Sequence, residues 1–210
     1  MNPEMFVNLI SQDPFQYFCW IGFAVFSICV HESAHARMAV HFGDETPRDY
    51  IPLNPMRQMG PFSLVLLFVI GVAWGAVPVD PKGCGSRGRN ALVSLAGPLA
   101  NLALCALFAL LSQTAGLWQW SNIARVFHFG SYVNGILCVL NLCPVPPLDG
   151  FGVIRAYLGE SPQIQSVLNK LGGIGLLLLW LTPLGSMMFQ YGGYLAEFFM
   201  NVWVAPFRFF

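Results

Sequence analysis

Residues 14–30 form an apolar run without a single charged side chain. A helix rises about 1.5 Å per residue, so one that continues from Pro14 to about Phe42 is long enough to cross the ~30 Å hydrocarbon core of a bilayer. The Gly43-Asp44 pair that follows is a typical helix stop. This run therefore predicts a membrane-spanning helix.

The composition supports the same class of protein. The chain has 210 residues, of which 56% are hydrophobic and only 10% are charged, whereas roughly 25% of the residues are charged in soluble proteins. A soluble protein of this length needs more charge to cover its surface, so we predict an integral membrane protein. The formal net charge is zero and no basic run is present, so the sequence indicates no nucleic-acid partner.

Residues 1–13 do not have the pattern of a cleavable signal peptide. They lack a basic region and carry Glu4 and Asp13, whereas a signal peptide begins with positive charge. We therefore expect the first apolar helix to be retained in the protein.

The remaining apolar segments predict an all-α polytopic membrane protein. They cover residues 62–79, 90–112, 130–141, 167–181 and 185–204. With the first run they indicate a bundle of about five to six transmembrane helices. We expect a single domain over 1–210, with its core at about 15–158 and accessory C-terminal helices at about 164–204. A short amphipathic connector is expected at 116–128.

The segment 62–79 is a special case. Gly71, Gly75 and Pro78 interrupt it, and basic residues flank it on both sides. A full span would place one basic loop outside, against the tendency of basic loops to remain on the cytoplasmic side. We therefore favour a small membrane-associated hairpin with strand-like segments slightly over a plain span.

Residues 141–150 read Asn-Leu-Cys-Pro-Val-Pro-Pro-Leu-Asp-Gly. Three prolines within four residues cannot continue a helix. The sequence therefore predicts extended backbone after a helix that ends near Asn141, and a second helical piece at 151–158.

His31-Glu32-Ser33-Ala34-His35 is an H-E-x-x-H pattern toward the C-terminal end of the first helix. Side chains four residues apart lie on one face of a helix, about one turn apart. Two imidazoles in this arrangement can hold one zinc ion, and Glu32 between them can act on a water at the metal. A catalytic zinc site has three protein ligands, so a third ligand is needed.

His41 is one candidate for the third ligand. Its spacing is that of the H-E-x-x-H-x-x-G-x-x-H zinc proteases, but these have a glycine where Met38 stands here. On an unbroken helix His41 would lie about 80° away from the face of His31 and ~15 Å along the axis. We therefore reject His41 as a ligand and interpret it as a polar residue at the helix end.

Asp149 is the better candidate. It is the only acidic residue between Asp80 and Glu160, and it lies in a strongly apolar region. An ionisable residue inside a membrane protein's apolar region is a functional candidate by default. Alone, Asp149 could simply cap the helix that follows. In the same chain as an H-E-x-x-H pattern, it is the predicted third zinc ligand.

Asn101 is a weaker candidate for supporting the site. It lies in an apolar predicted helix, where an amide must find a hydrogen-bond partner. The small residues before it permit close helix packing, and Gly97 and Pro98 are interpreted as a packing kink.

Three motifs, in this order, resemble the signatures of the site-2 protease family of intramembrane metalloproteases. They are His31-Glu32-x-x-His35, Ala96-Gly97-Pro98-x-x-Asn101 and Asn141-Leu142-x-Pro144-x-Pro146-Pro147-Leu148-Asp149-Gly150. The third is highly specific, and the likeness extends from about residue 15 to 158. It implies one Zn²⁺ per chain, held by His31, His35 and Asp149, with Glu32 as the general base. It also implies that Asn141 lies near the metal and helps to hold the substrate or the developing oxyanion.

The resemblance implies a zinc-dependent endopeptidase that hydrolyses a peptide bond in or near the transmembrane segment of a membrane protein. Its partners would be that substrate and the lipid bilayer, and its oligomeric state stays open. We expect a bacterial or archaeal cell membrane, with the site toward the cytoplasmic side, because the end of the helix that carries His31 leads to the basic loops. The alternative is a non-proteolytic zinc-binding membrane protein or interaction partner, although the presence of Glu32 argues against it. A transporter is less favoured, because no paired halves are present.

The chain departs from the family pattern in two places. It shows no PDZ or CBS module, and Gln58 stands where many compact relatives have a histidine after Leu53-Asn54-Pro55. The first departure leaves substrate choice open, and the second puts an accessory role of position 58 in doubt.

Overall fold

The computed structural model describes residues 3–158 and 183–204. These residues contain helices and no strand. The helices are α1 (Pro3–Gln12), α2 (Pro14–His41), a 3-10 turn (Arg48–Tyr50), α3 (Pro55–Gln58), α4 (Gly60–Ile70), α5 (Arg87–Leu117), α6 (Ser121–Asn141), α7 (Asp149–Leu158) and α8 (Pro183–Val204). The apolar segment predicted at 167–181 lies outside the described residues.

The helix α2 begins where the sequence predicts. The Asp13 side chain accepts a hydrogen bond from the backbone N–H of Gln16 at 3.0 Å, and proline is well suited to the first helical position. The helix ends at His41, and Gly43 follows with a φ of +105°, which a glycine adopts without strain. The predicted membrane-length helix is confirmed.

The helices α2, α5 and α6 form an antiparallel bundle. The ring of Phe23 on α2 lies 5.2 Å from that of Phe108 on α5. Further along α2, His31 contacts Asn101, which comes about two turns before Phe108 in α5, so α2 and α5 run in opposite directions. Between α5 and α6, Ser131 Oγ donates to the carbonyl of Cys105 at 2.9 Å. The helix α7 packs against α5, and α8 packs against α5 and α6.

Three of the described helices, α2, α5 and α6, are long and apolar enough to cross a membrane. The prediction of a membrane protein is confirmed at this level, while the count of five to six spans stays a prediction. Large apolar side chains such as Phe18, Phe62 and Leu99 are exposed on the outer surface. Such side chains are stable where lipid tails surround the protein.

The connector predicted at 116–128 is much shorter in the structure. Only three residues separate Leu117, the end of α5, from Ser121, the start of α6. Gln119 makes the turn with a φ of +58°. The polar residues that suggested a connector lie in the first turns of α6, where the Arg125 guanidinium lies 3.4 Å from the Asp13 carboxylate. A charged residue can occupy a helix end because a partner and the membrane surface are close.

Residues 60–80 form a segment that folds back on itself, with α4 as one arm and residues 72–80, which contain no helix, strand, turn or bend, as the other. The two arms lie side by side, since Ser63 Oγ donates to the Trp74 carbonyl at 2.7 Å and accepts from the Trp74 N–H at 2.9 Å. We call residues 60–80 the folded-back segment and residues 72–80 its extended arm. The strand-like segments expected in 62–79 are not found as strands in the described residues. Gly60–Ile70 satisfies its backbone groups as a helix, and residues 72–80 are not part of a sheet.

Gln58 holds the base of the folded-back segment, where its two arms meet the rest of the chain, by hydrogen bonds. The backbone carbonyl of Gln58 accepts a hydrogen bond from Ala76 N–H at 2.9 Å. Its buried side chain donates to the Tyr50 carbonyl at 2.7 Å and accepts from Asn54 N–H at 3.1 Å. Gln58 thus joins the loop before α4 to the returning arm, so both ends of the segment lie on the same side of the protein.

The tip of the folded-back segment is held by α1 and α2. Tyr17 Oη donates to the Phe68 carbonyl at 2.8 Å, and Trp20 Nε1 donates to the Gly71 carbonyl at 2.9 Å. Both carbonyls belong to the C-terminal end of α4, where a helix lacks internal donors. The ring of Phe6 fills the space next to Gly71, which is left-handed with a φ of +75°.

The proline-rich stretch after α6 is non-helical, as predicted, but residues 142–148 form turns and bends where extended backbone was expected. The Leu148 N–H donates to the Val145 carbonyl at 2.9 Å and so closes a turn. Helical structure resumes at Asp149, two residues earlier than expected. Gly152 lies so close to Ser94 of α5 that a Cβ atom would be 2.7 Å from its Oγ. This close approach brings the start of α7, and with it Asp149, against α5.

Candidate metal centre

His31, His35 and Asp149 come together inside the bundle. The two Nε2 atoms are 3.0 Å apart. Asp149 Oδ2 lies 2.9 Å from the Nε2 atom of His31 and 3.3 Å from that of His35. Both histidines are buried, and Asp149 is half-buried. Within the described residues, this is the one group of three side chains whose spacing suits a metal ion.

Each imidazole is oriented through its Nδ1 atom. His31 Nδ1 lies 2.6 Å from Asn101 Oδ1, and His35 Nδ1 lies 2.7 Å from the backbone carbonyl oxygen of Val93. Both partners are oxygens that only accept, so each Nδ1 carries the proton. The Nε2 atom of each neutral imidazole then has a free lone pair, which is the form that binds a metal.

The atoms that converge here are all acceptors. Asp149 Oδ2 is buried and has no hydrogen-bond donor among the described residues, and both neighbouring Nε2 atoms present lone pairs. Three lone pairs separated by 2.9–3.3 Å repel one another unless a cation lies between them. Two imidazoles and a carboxylate form a donor set that suits zinc. The residues of this centre therefore fit a zinc ion.

Gly97 of α5 leaves the space that the imidazoles occupy. A Cβ atom at this position would clash with Nε2 of both His31 and His35. Gly97 and Pro98 were interpreted as a packing kink, but the missing side chain at Gly97 also makes room for the two ligand atoms. Any larger residue must push the imidazoles or α5 aside.

Glu32 is buried on α2, beside His31 in the chain. The extended arm passes against it, since a Cβ atom at Gly75 would clash with the carboxylate of Glu32. Glu32 therefore contacts the folded-back segment, while the adjacent His31 belongs to the metal centre.

The other predicted site residues occupy different environments. Asn101 is fully buried and contacts His31. Asn141 ends α6, and its side-chain amide donates to the Leu137 carbonyl of the same helix at 3.0 Å. His41 is exposed at the C-terminal end of α2 and is not part of the cluster.

Several residues of the centre were missed by the sequence analysis. Val93 contributes only a backbone carbonyl, which no sequence pattern identifies. Asn134 of α6 and Ser27 of α2 are fully buried and hydrogen-bonded to each other and to Asn101. The asparagine at position 134, within the otherwise apolar stretch 133–140, was a signal that could have been used.

The chain is similar to several proteins named as zinc metalloproteases. It is 32% identical over 176 residues to "Putative zinc metalloprotease YwhC" of Bacillus subtilis, which covers 77% of this chain and 80% of that protein. It is 35% identical over 175 residues to "Putative zinc metalloprotease Rip2" of Mycolicibacterium smegmatis, with 75% of this chain and 64% of the relative covered. A shorter similarity, 32% identity over 101 residues, links it to "Putative zinc metalloprotease MJ0611" of Methanocaldococcus jannaschii, covering 44% of this chain and 50% of that protein. No family model and no solved structure matches the chain.

Proposed function

The chain belongs to the site-2 protease family of zinc metalloproteases, and from this premise we propose that it is a zinc-dependent intramembrane endopeptidase. Its substrate would be a membrane protein, cut within or near a transmembrane segment, as in regulated intramembrane proteolysis. The observation that carries the proposal is the meeting of three lone pairs, from His31, His35 and Asp149, inside a bundle of membrane-length helices.

His31 Nε2, His35 Nε2 and Asp149 Oδ2 would hold one zinc ion per chain. Zinc in such a site acts as a Lewis acid toward a carbonyl oxygen and makes water a stronger acid. The protein supplies the fixed orientation of the ligands, because Asn101 and the Val93 carbonyl hold the two imidazoles by their Nδ1 atoms. Ligands oriented in advance raise metal affinity, since less side-chain entropy is lost when the metal binds.

Glu32 is the general base of the proposed reaction. Its carboxylate takes a proton from the attacking water, whose oxygen forms a bond to the substrate carbonyl carbon. The C–N bond then breaks, and Glu32 returns the proton to the leaving nitrogen. The products are a carboxylic acid and an amine. Glu32 directly follows His31 on α2, and its carboxylate lies against Gly75 of the extended arm.

The extended arm is the proposed docking position of the substrate. A transmembrane helix hides its peptide bonds in its own hydrogen bonds, so the substrate must unwind before cleavage. An unwound strand can pair with extended backbone, which offers donors and acceptors along its edge. Gly75 lies in this arm against Glu32, so a strand paired there would lie close to the base. Asn141 would help to hold the substrate or the developing oxyanion.

We place the centre toward the cytoplasmic face of a bacterial or archaeal cell membrane. Basic side chains are concentrated in the loops at the end of α2 that carries the ligands, namely Arg48, Arg57, Lys82, Arg87 and Arg89. Basic loops tend to remain in the cytoplasm. The contact between Gln58 and Ala76 supports the placement of both loops on one side. A reporter fused within residues 43–60 that is active only outside the cell would overturn this orientation.

The decisive experiment compares the wild-type protein with Glu32→Gln. Both are purified in detergent, their zinc content is measured, and each is incubated with a panel of single-span membrane proteins. We expect about one zinc per chain in both, because Glu32 is not a ligand, and cleavage only by the wild type. The Gln side chain keeps the shape of Glu but cannot accept the proton.

The other outcomes separate the alternatives. If both proteins bind zinc and neither cuts any member of the panel, the non-proteolytic zinc-binding alternative gains. If neither binds zinc, the assignment of His31, His35 and Asp149 as ligands is wrong. If Glu32→Gln cuts as fast as the wild type, Glu32 is not the base.

A further inference from the structure

A chain of buried amides lies behind His31. Asn134 of α6 and Asn101 of α5 are both 0% exposed. Asn101 Nδ2 donates to Asn134 Oδ1 at 3.0 Å, and Asn101 Oδ1 lies 2.6 Å from His31 Nδ1. The chain therefore runs from α6 through α5 to a ligand of the metal centre on α2.

The surroundings of Asn134 allow only one orientation of its amide. Its Nδ2 group has two hydrogens, and both have acceptors: the Gly130 carbonyl and Ser27 Oγ, each at 2.9 Å. With the amide turned over, its oxygen would face the Gly130 carbonyl, and two acceptors would meet. Asn134 Oδ1 therefore points at Asn101.

Asn134 in turn decides the orientation of Asn101. Because Asn134 presents an oxygen, Asn101 must present its Nδ2 group, whose second hydrogen points toward the Ser27 carbonyl at 3.4 Å. Asn101 Oδ1 is thereby left for His31, and an oxygen there requires the proton on Nδ1. The Nε2 lone pair is then free on the side of Asp149.

We infer that Asn134 is a positioning residue, which fixes the tautomer of His31 through Asn101 and so prepares the imidazole for the metal. Without the oxygen of Asn134, the Asn101 amide can turn over. Its Nδ2 group would then face His31 Nδ1 and favour the tautomer with the proton on Nε2. A protonated Nε2 has no lone pair with which to bind a metal. The metal part of this inference rests on the proposed function, whereas the tautomer of His31 does not.

The test compares Asn134→Leu with Asn134→Asp in the full chain. Leucine has a similar volume and no acceptor, whereas neutral aspartic acid keeps an oxygen toward Asn101 and offers an O–H to the Gly130 carbonyl. Ser131→Ala is the matched control, because Ser131 is equally buried on α6 and bonds α5 through Cys105, with no link to His31. Removing a partner behind a ligand typically lowers metal affinity by about 10–100-fold.

Two quantities are measured for each variant in detergent. Zinc affinity is obtained by competition with a chelator, and the proton on His31 Nδ1 is observed by NMR of the metal-free protein labelled with ¹⁵N-histidine. The chain has only 4 histidines, so the signals can be assigned by substitution. We expect Asn134→Leu to lose about 10–100-fold in affinity and to weaken the Nδ1–H signal, while Asn134→Asp and Ser131→Ala stay close to wild type.

Each other outcome counts against the inference. An unchanged Nδ1–H signal in Asn134→Leu overturns it, whatever the zinc affinity. Equal losses of zinc affinity in Asn134→Leu and Asn134→Asp would show that the oxygen at position 134 is not what prepares His31. If Asn134→Leu does not fold, Asn134→Ala replaces it, because alanine also lacks the oxygen that faces Asn101, and an unchanged signal there overturns the inference too. A wild-type protein with the Nδ1–H signal but without zinc binding would refute the proposed function and leave the tautomer assignment intact.

Discussion

The metal centre and the folded-back segment are held in place in different ways. The ligands lie on α2 and α7. Buried hydrogen bonds join the two histidines of α2 to α5 and α6, from Asn134 through Asn101 to His31 and from Val93 to His35. The folded-back segment is attached mainly at its tip, by Tyr17 and Trp20, and at its base.

This difference suggests that the metal centre and the folded-back segment have different roles. A site held by many buried contacts opens only with much of the fold, whereas a segment attached at a few points can open alone. In the proposed protease, the metal would stay bound while the extended arm moves to admit a substrate. Substitutions in the two regions should therefore affect different measurements, and four predictions test this.

The largest effect is expected for Gly97→Ala. Its new methyl group would clash with Nε2 of both His31 and His35, so the ligand atoms must separate. We expect zinc affinity to fall on the order of 100-fold and cleavage to fall with it. Gly116→Ala is the control on the same helix, since a Cβ atom there meets nothing within 4 Å. Normal zinc affinity in Gly97→Ala would mean that α5 moves aside easily.

Gly75→Ala should separate the two regions. The added methyl group would press on the Glu32 carboxylate, which is not a zinc ligand in the proposed centre. We expect cleavage to fall about 10–100-fold, since small displacements of a catalytic group are costly, while zinc content stays at the wild-type value. Gly22→Ala on α2, where a Cβ atom meets nothing, should change neither. A loss of zinc in Gly75→Ala would contradict the independence of the two regions.

Trp20→Phe tests the attachment of the tip. The substitution removes the donor to the buried Gly71 carbonyl, and an unsatisfied buried acceptor costs about 1–3 kcal/mol. We expect faster amide hydrogen exchange in residues 60–80, with unchanged exchange around His31. Trp118→Phe is the control, because Trp118 is 72% exposed. Equal exchange rates in the two variants would show that the tip does not depend on this hydrogen bond.

The smallest effect is expected for Glu45→Gln, in the loop after α2. The Arg48 guanidinium lowers the pKa of Glu45 below its usual value. The ion pair therefore stabilises the folded protein fully above the usual pKa, and this stabilisation is lost as the pH falls through the lowered pKa. Both side chains are exposed, and exposed ion pairs contribute little. We expect no measurable change in the thermal unfolding temperature at pH 7. A clear decrease would mean that this loop supports the base of the folded-back segment.

The parts of the structure that were predictable depend on local patterns. The apolar run and its caps specify α2, and the period of the helix places His31 and His35 on one face. The prolines before Asp149 exclude a continuous helix there. The helical arm at Gly60–Ile70 was not predicted, because a short apolar run fits a helix or a strand equally well.

The sequence by itself determined the class of protein, the position of the first long helix and the types of side chain available to a metal. Only the tertiary structure decided that Gly97 leaves room for two imidazoles, that Gly75 meets Glu32 and that Asn134 orients Asn101 toward His31. The physical reason is the separation along the chain of the residues that interact. Helix caps, prolines and helical periodicity act between residues a few positions apart, whereas a clash or a hydrogen bond between helices depends on how residues 33 to 70 positions apart meet in space.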